Sequence, residues 1–196
     1  MRIPMRYTRT AMLLHWLIAL LIACNVLLIW SVDSLPEEWQ RPVIDTHKSI
    51  GITVLGLAIM RVLWRSTHRP PALPTTYAPW ERFAAHAAHI GLYLLIFCLP
   101  LSGWIHDSAW SQAATHPMKL FGAVEWPRIG WITDLDPAVK EPLHKLTGRI
   151  HTAFSYVLYA LFLAHVGGAL KHQYVDKEAE LQRMLPWGGV EPGDRS

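Results

Sequence analysis

Three long stretches of the chain carry no Asp, Glu, Lys or Arg: Thr10 to Val32, Phe83 to His106 and Ile150 to Leu170. At about 1.5 Å per helical residue each can cross roughly 30 Å of hydrocarbon, which predicts three membrane-spanning helices. A fourth stretch, Val43 to Trp64, is uncharged from Ser49 to Met60. Lys48 and Arg61 flank that centre, and long basic side chains at such edges can snorkel toward headgroups. The expected fold is therefore all-α: an integral membrane four-helix bundle, formed by a single domain over residues 1–196. Its spans are expected near 10–32, 43–64, 83–106 and 150–170.

The connections between spans are unequal. Ser31 to Pro42 reads as a short outer loop with turn-forming Asp33, Ser34 and Pro36, and Ser66 to Pro79 as a Pro-rich inner loop. Pro100 removes one ladder hydrogen bond from the third span and predicts a kink near its outer end. The outer loop, 107–149, is too long to be structureless, so it is expected to fold over the outer face with a short interfacial helix; Trp110, Trp126 and Trp131 suit the interface. The inner tail, 173–196, is polar and amphipathic as far as Pro186 and is expected to lose order beyond it.

Composition agrees with a membrane chain: 52% of the 196 residues are hydrophobic, ten are Trp and only 17% are charged. The net charge of +3 does not indicate nucleic acid, because the basic residues border the spans and form no stripe. Most of the 18 Lys and Arg, among them Arg2, Arg6, Arg9, Arg65 and Arg195, fall on the side shared by the two termini. That bias predicts both termini in the cytoplasm. The two cysteines, Cys24 and Cys98, lie inside spans, so no disulfide framework is expected, and no Cys-x-x-Cys-His is present for covalent haem attachment. The basic N-terminus runs into the first span with no small-residue cleavage site and reads as a retained helix.

Histidine is the informative residue. Ionisable groups in spans are costly and are functional candidates by default, and His15, His47, His89, His151 and His165 lie in or at the edges of the four spans. A single helical histidine often does no more than bond a nearby carbonyl, but the depths of these match in pairs. His151 and His165 are fourteen residues apart, about 40° short of four full turns and roughly 21 Å in rise, so their rings share a face at opposite ends of one span. His15 lies six residues inside Arg9 and His165 six before Lys171, which puts both about 9 Å deep on the inner side. His47 and His151 begin their spans at the outer surface. Neutral imidazoles paired at two depths, with no carboxylate in the uncharged stretches of the spans to make a zinc site, suit two bis-histidine haems b.

The residues also resemble a family, the bacterial di-haem cytochrome b561 proteins. Leu14-His15-Trp16 looks like the first-helix motif of that family. His47-Lys48-Ser49-Ile50-Gly51 with Arg61-Val62-Leu63-Trp64-Arg65 is similar to its second, and Ala85-His86-Ala87-Ala88-His89 leading to Leu99-Pro100-Leu101-Ser102-Gly103-Trp104 to its third. His165-Val166-Gly167-Gly168 through His172, then Leu181-Gln182-Arg183-Met184-Leu185-Pro186, resembles its fourth helix and tail. The likeness spans nearly the whole chain; Trp126 to Leu143 departs from it.

That resemblance implies a bacterial inner-membrane protein with two haems b, exchanging electrons with ubiquinone. Some members look like superoxide oxidases, which pass an electron from superoxide at the periplasmic face through both haems to ubiquinone. In that reading Lys48 and Arg149 steer an anion toward the outer haem, although such residues also suit propionates or the interface. His172 is a candidate quinone contact and proton donor, and His89 is open between contacting quinone and competing for iron. The rival reading is a haem-b anchor that hands electrons to a separate dehydrogenase or cytochrome partner.

Overall fold

The computed structural model describes residues 6–74 and 76–186. Arg2, Arg195 and the expected loss of order beyond Pro186 lie outside the described residues. Among the described residues, four helices are long and apolar enough to cross a membrane. Helix α1 spans Arg9–Ser31, α2 Glu37–Thr67, α3 Pro79–Ser108 and α5 Pro137–Tyr174, with one-turn α4 at Gly130–Thr133 and short α6 at Glu180–Met184. A hairpin of β1 (Lys119–Leu120) and β2 (Val124–Glu125) completes the long connection between α3 and α5.

Local chemistry sets the helix ends. Thr8 accepts from Ala11 N at the start of α1, Asp136 accepts from Ala138 N at the start of α5, and Glu81 reaches back to Ala78 N at the start of α3. Each satisfies a donor that the first helical turn leaves free. Proline occupies the first position of α3 and of α5, where its missing N–H costs nothing.

Two helices outrun the expected spans. α5 begins at Pro137 instead of near Ile150, and α2 at Glu37 instead of near Val43. Both extra segments are polar, so hydropathy does not see them, although Asp136 caps α5 and Glu37 and Glu38 suit the first turn of α2. The connection after α3 is correspondingly shorter than expected. Its hairpin turns at Phe121 (φ 50°) and Gly122 (φ 73°), and Phe121 N donates to Ser49 Oγ of α2 at 2.9 Å, which fastens the loop to the bundle.

The long helices pack α1 on α2, α2 on α3 and α3 on α5. Ile18, Ile50 and Val54 form a small core with Leu21, Ile22 and Leu57 around it. Large apolar side chains otherwise point outward: Leu13, Leu20 and Leu27, seven residues apart on α1, are 65%, 61% and 63% exposed. An apolar face of that length belongs against lipid, where backbone groups are satisfied within the helix. Between α3 and α5, Gly91 leaves room for the Leu161 side chain, whose Cδ1 a Cβ there would meet at 2.7 Å.

Candidate functional site

Two histidine pairs sit toward the two ends of α5. Near the long connection, the loop end, His47 of α2 and His151 of α5 have ring centres 6.2 Å apart and planes 81° apart. Toward the end that carries both termini, His15 of α1 and His165 of α5 repeat this at 6.2 Å and 79°. A metal between two imidazoles, about 2 Å from each nitrogen with roughly 1.1 Å more to each ring centre, separates the centres by about 6.2 Å. Direct stacking gives a far shorter spacing, as the 3.8 Å between His106 and His144 illustrates.

At the loop end the tautomers are fixed. His151 Nδ1 lies 3.0 Å from the Leu99 carbonyl and His47 Nδ1 lies 3.3 Å from that of Asn25. A carbonyl can only accept, so each Nδ1 carries the hydrogen and each Nε2 is left with a lone pair for a metal. Around this pair the helices enclose a cavity of about 890 Å³, lined by His47, His151, Gly51, Gly103, Asn25 and Tyr159 among others. Gly51, one turn below His47, has nothing within 4 Å of where a Cβ would stand. At Gly103 a Cβ would crowd His151 Cε1 at 3.3 Å. A broad, flat group fits such a cradle.

The chain matches the family model for prokaryotic cytochrome b561 over residues 6–187. It belongs to the prokaryotic cytochrome b561 family. It is 33% identical to cytochrome b561 homolog 2 of Escherichia coli K12, over 93% of this chain and 92% of that one. Against cytochrome b561 homolog 1 of the same strain it is 25% identical, over 92% and 97% of the two chains. It is 28% identical to the probable superoxide oxidase CybB of Yersinia pestis, over 88% and 92%. Like other cytochromes b561 it is a bacterial membrane protein of electron transfer, and the family implies a b-type haem. Bis-histidine spacing, free Nε2 atoms and the glycine-lined cavity all fit that group.

The remaining expected residues are distributed unequally. His89 of α3 lies edge-on to His165 with ring centres 5.3 Å apart, closer than a shared metal requires. His172 donates through Nδ1 to Asp176 Oδ2 at 2.6 Å and stacks on Tyr77 at 3.9 Å. Lys171 binds Asp176 and Glu81, so its ammonium already bridges the two carboxylates that lie nearest His172. Asp176 is held below the usual carboxylate range, chiefly by Lys171, whereas burial pushes the Tyr77 hydroxyl up. Lys48 lines the loop-end cavity; Arg149 is exposed and does not.

Neither basic edge residue of α2 snorkels. Arg61 turns inward, bonding Ala11 O at 3.1 Å and Tyr93 Oη at 3.0 Å. Lys48 joins an alternating chain, from Arg128 to Asp107 (2.7 Å), Asp107 to Lys48 (2.8 Å), Lys48 to Asp45 (3.2 Å) and Asp45 to Arg41 (3.0 Å). Trp110 lies between its two ends, with Arg41 4.8 Å and Arg128 5.9 Å from the ring centre. Sequence reasoning did not single out Asp107 or Arg128. Their pairing spans 21 residues of irregular loop, which no periodicity encodes; the one available signal was a lone carboxylate immediately after an uncharged span.

Proposed function

We propose that this cytochrome b561 carries two bis-histidine haems b, His47 with His151 at the loop end and His15 with His165 at the termini end, and uses them to move electrons from superoxide to ubiquinone. The observation that supports this most is the repeat of one ring geometry at both ends of α5. The excess of basic residues at the termini end supports a cytoplasmic location for it and a periplasmic one for the loop end. The probable superoxide oxidase among the relatives supports the donor.

Haem held by His47 with His151 and by His15 with His165 would supply one-electron uptake and release. The chain's own residues do the rest. The loop-end ion chain has three cations against two carboxylates and leaves a positive rim that draws a small anion, while exposed Arg149, away from that rim, adds only a distant charge. Each superoxide leaves as O2 after giving up one electron. Two such events and two protons convert ubiquinone to its quinol, at the termini end near His89, His165 and His172. His172, fixed by Asp176 and Tyr77, is placed to pass a proton to a quinone oxygen.

The test is rapid mixing of the purified, haem-loaded protein with superoxide, with and without a soluble ubiquinone. The reading expects haem reduction within the mixing experiment and reoxidation by quinone. A protein reducible by dithionite but untouched by superoxide would instead be a haem anchor serving a separate redox partner.

A further inference from the structure

A second pocket lies at the termini end, and the histidine pairs take no part in it. It opens between the start of α1 and the end of α2 and is lined by Arg6, Thr8, Arg61, Trp64, Arg65 and Arg69 among others. Neither His15 nor His165 lines it, nor does His89. Its volume of about 40 Å³ leaves room for one group of a few heavy atoms. Four arginines converge on that space. Arg61 is half-buried, held by Ala11 O and Tyr93 Oη, while Arg65 and Arg69 are exposed.

The charges there are uncompensated. No carboxylate among the described residues pairs with any of these four arginines, whereas Arg41, Lys48 and Arg128 at the loop end and Lys171 and Arg183 at the termini end all have one. Arg61 and Arg65 stand one turn apart on α2, a spacing at which like charges cost stability when nothing answers them. Tyr93 holds both in place, its ring centre 5.7 Å from Arg61 Cζ and 5.3 Å from Arg65 Cζ. Arg6 Nε is buried without a hydrogen-bond partner. Thr8 Oγ1 accepts from Ala11 N at 3.3 Å and Trp64 Nε1 at 2.8 Å, which leaves its O–H to donate. Hydrogen-bond donors and positive charge around one small space suit an anion.

We propose that this pocket seats a phosphate group, carried by the headgroup of an anionic phospholipid in the adjoining leaflet. A guanidinium matches two phosphate oxygens with parallel N–H bonds, and a phosphodiester is of the size the pocket holds. Its position favours a lipid over a soluble anion. The pocket lies where α2 leaves its apolar stretch, and the same turns carry Met60 and Leu63, 56% and 62% exposed, for acyl chains to lie against. Trp64 in the wall is of the type that sits at headgroup level, and basic pockets between spans at a cytoplasmic edge suit such headgroups. Arg6 also holds the returning chain through Leu185 O at 2.7 Å, so a seated headgroup braces the segment before α1 against the tail. The site stands apart from the two-haem reading, which assigns none of these arginines.

The test is native mass spectrometry of the haem-loaded protein released from a neutral detergent. Wild type should retain a first dioleoylphosphatidylglycerol in preference to dioleoylphosphatidylcholine. Arg65→Gln and Arg69→Gln, both at exposed positions, should each weaken that binding about fivefold, the effect of one cation on an anionic lipid. Arg65→Lys, which keeps the charge and loses the fork, should weaken it less. Arg82→Gln removes an exposed cation of the same end that does not line the pocket, and should change nothing. Inorganic phosphate should compete only weakly, since it brings no acyl chain. Equal retention of the two lipids, the same weakening in Arg82→Gln, or inorganic phosphate bound as tightly as the lipid overturns the proposal. So does loss of haem from Arg65→Gln with lipid binding unchanged, which would assign the arginines to haem propionates instead.

Discussion

The two ends of α5 hold the same histidine geometry in unlike surroundings. At the loop end both histidines have Nδ1 anchored to backbone carbonyls, the cavity is wide, and a five-residue ion chain lies along its rim. At the termini end His165 has a third histidine against it, Arg61 reaches in from α2, and the chain past α5 folds back over the entrance. That return is held by Trp16 Nε1 to Met184 O at 2.8 Å and Arg6 to Leu185 O at 2.7 Å. The paired-ring geometry is thus set by helix register, while what each end packs around its pair differs. A wide, positively rimmed mouth suits a small soluble donor; the termini end, where His89 packs on His165 and His172 pairs with Asp176, suits an acceptor that must take up protons.

The comparison breaks most visibly at the ligands. His47→Ala and His151→Ala should each remove the loop-end haem and spare the other, with haem per chain falling from two to one; His15→Ala and His165→Ala should do the reverse. Asp107→Asn should come next. It strips a buried carboxylate from two cations and should cost about 3–5 kcal/mol, read as a lower unfolding midpoint with the loop-end haem lost first. An unchanged midpoint would show that the ion chain does not hold the rim.

A smaller and more selective effect is expected at the other end. His172→Ala should lower ubiquinone reduction several-fold while both haems are retained and still reduced by superoxide; Asp176→Asn should follow in the same direction. Survival of quinone turnover in both would move the acceptor elsewhere. Smallest of all is Arg149→Gln, which should slow superoxide-driven reduction by about twofold at low salt and make no difference at high salt, as expected for an exposed charge acting at a distance. Lys48→Gln is a poorer probe of steering because it also frees Asp107.

How far the sequence reached differs between these regions. Uncharged runs located the four helices, and a 3.6-residue period applied to His151 and His165 placed both rings on one face of α5. The structure brings together the paired rings that depth matching selects. The polar first turns of α5 escaped because hydropathy reads only the lipid-facing part, although Asp136 and Pro137 spelled a helix start. Arg149 illustrates a signal left unread: two residues from His151 on a helix is about 200°, nearly the opposite face. Asp107 with Arg128, and His106 with His144, are long-range meetings created by the folded loop, and nothing local announces them.

Haem stoichiometry tests the central claim most directly. Pyridine haemochrome assay of the purified protein should give two haems b per chain, one in His151→Ala, and none when His151 and His165 are both replaced. A single haem in the wild-type protein, or two different haems lost from His47→Ala and His151→Ala, would contradict the pairing.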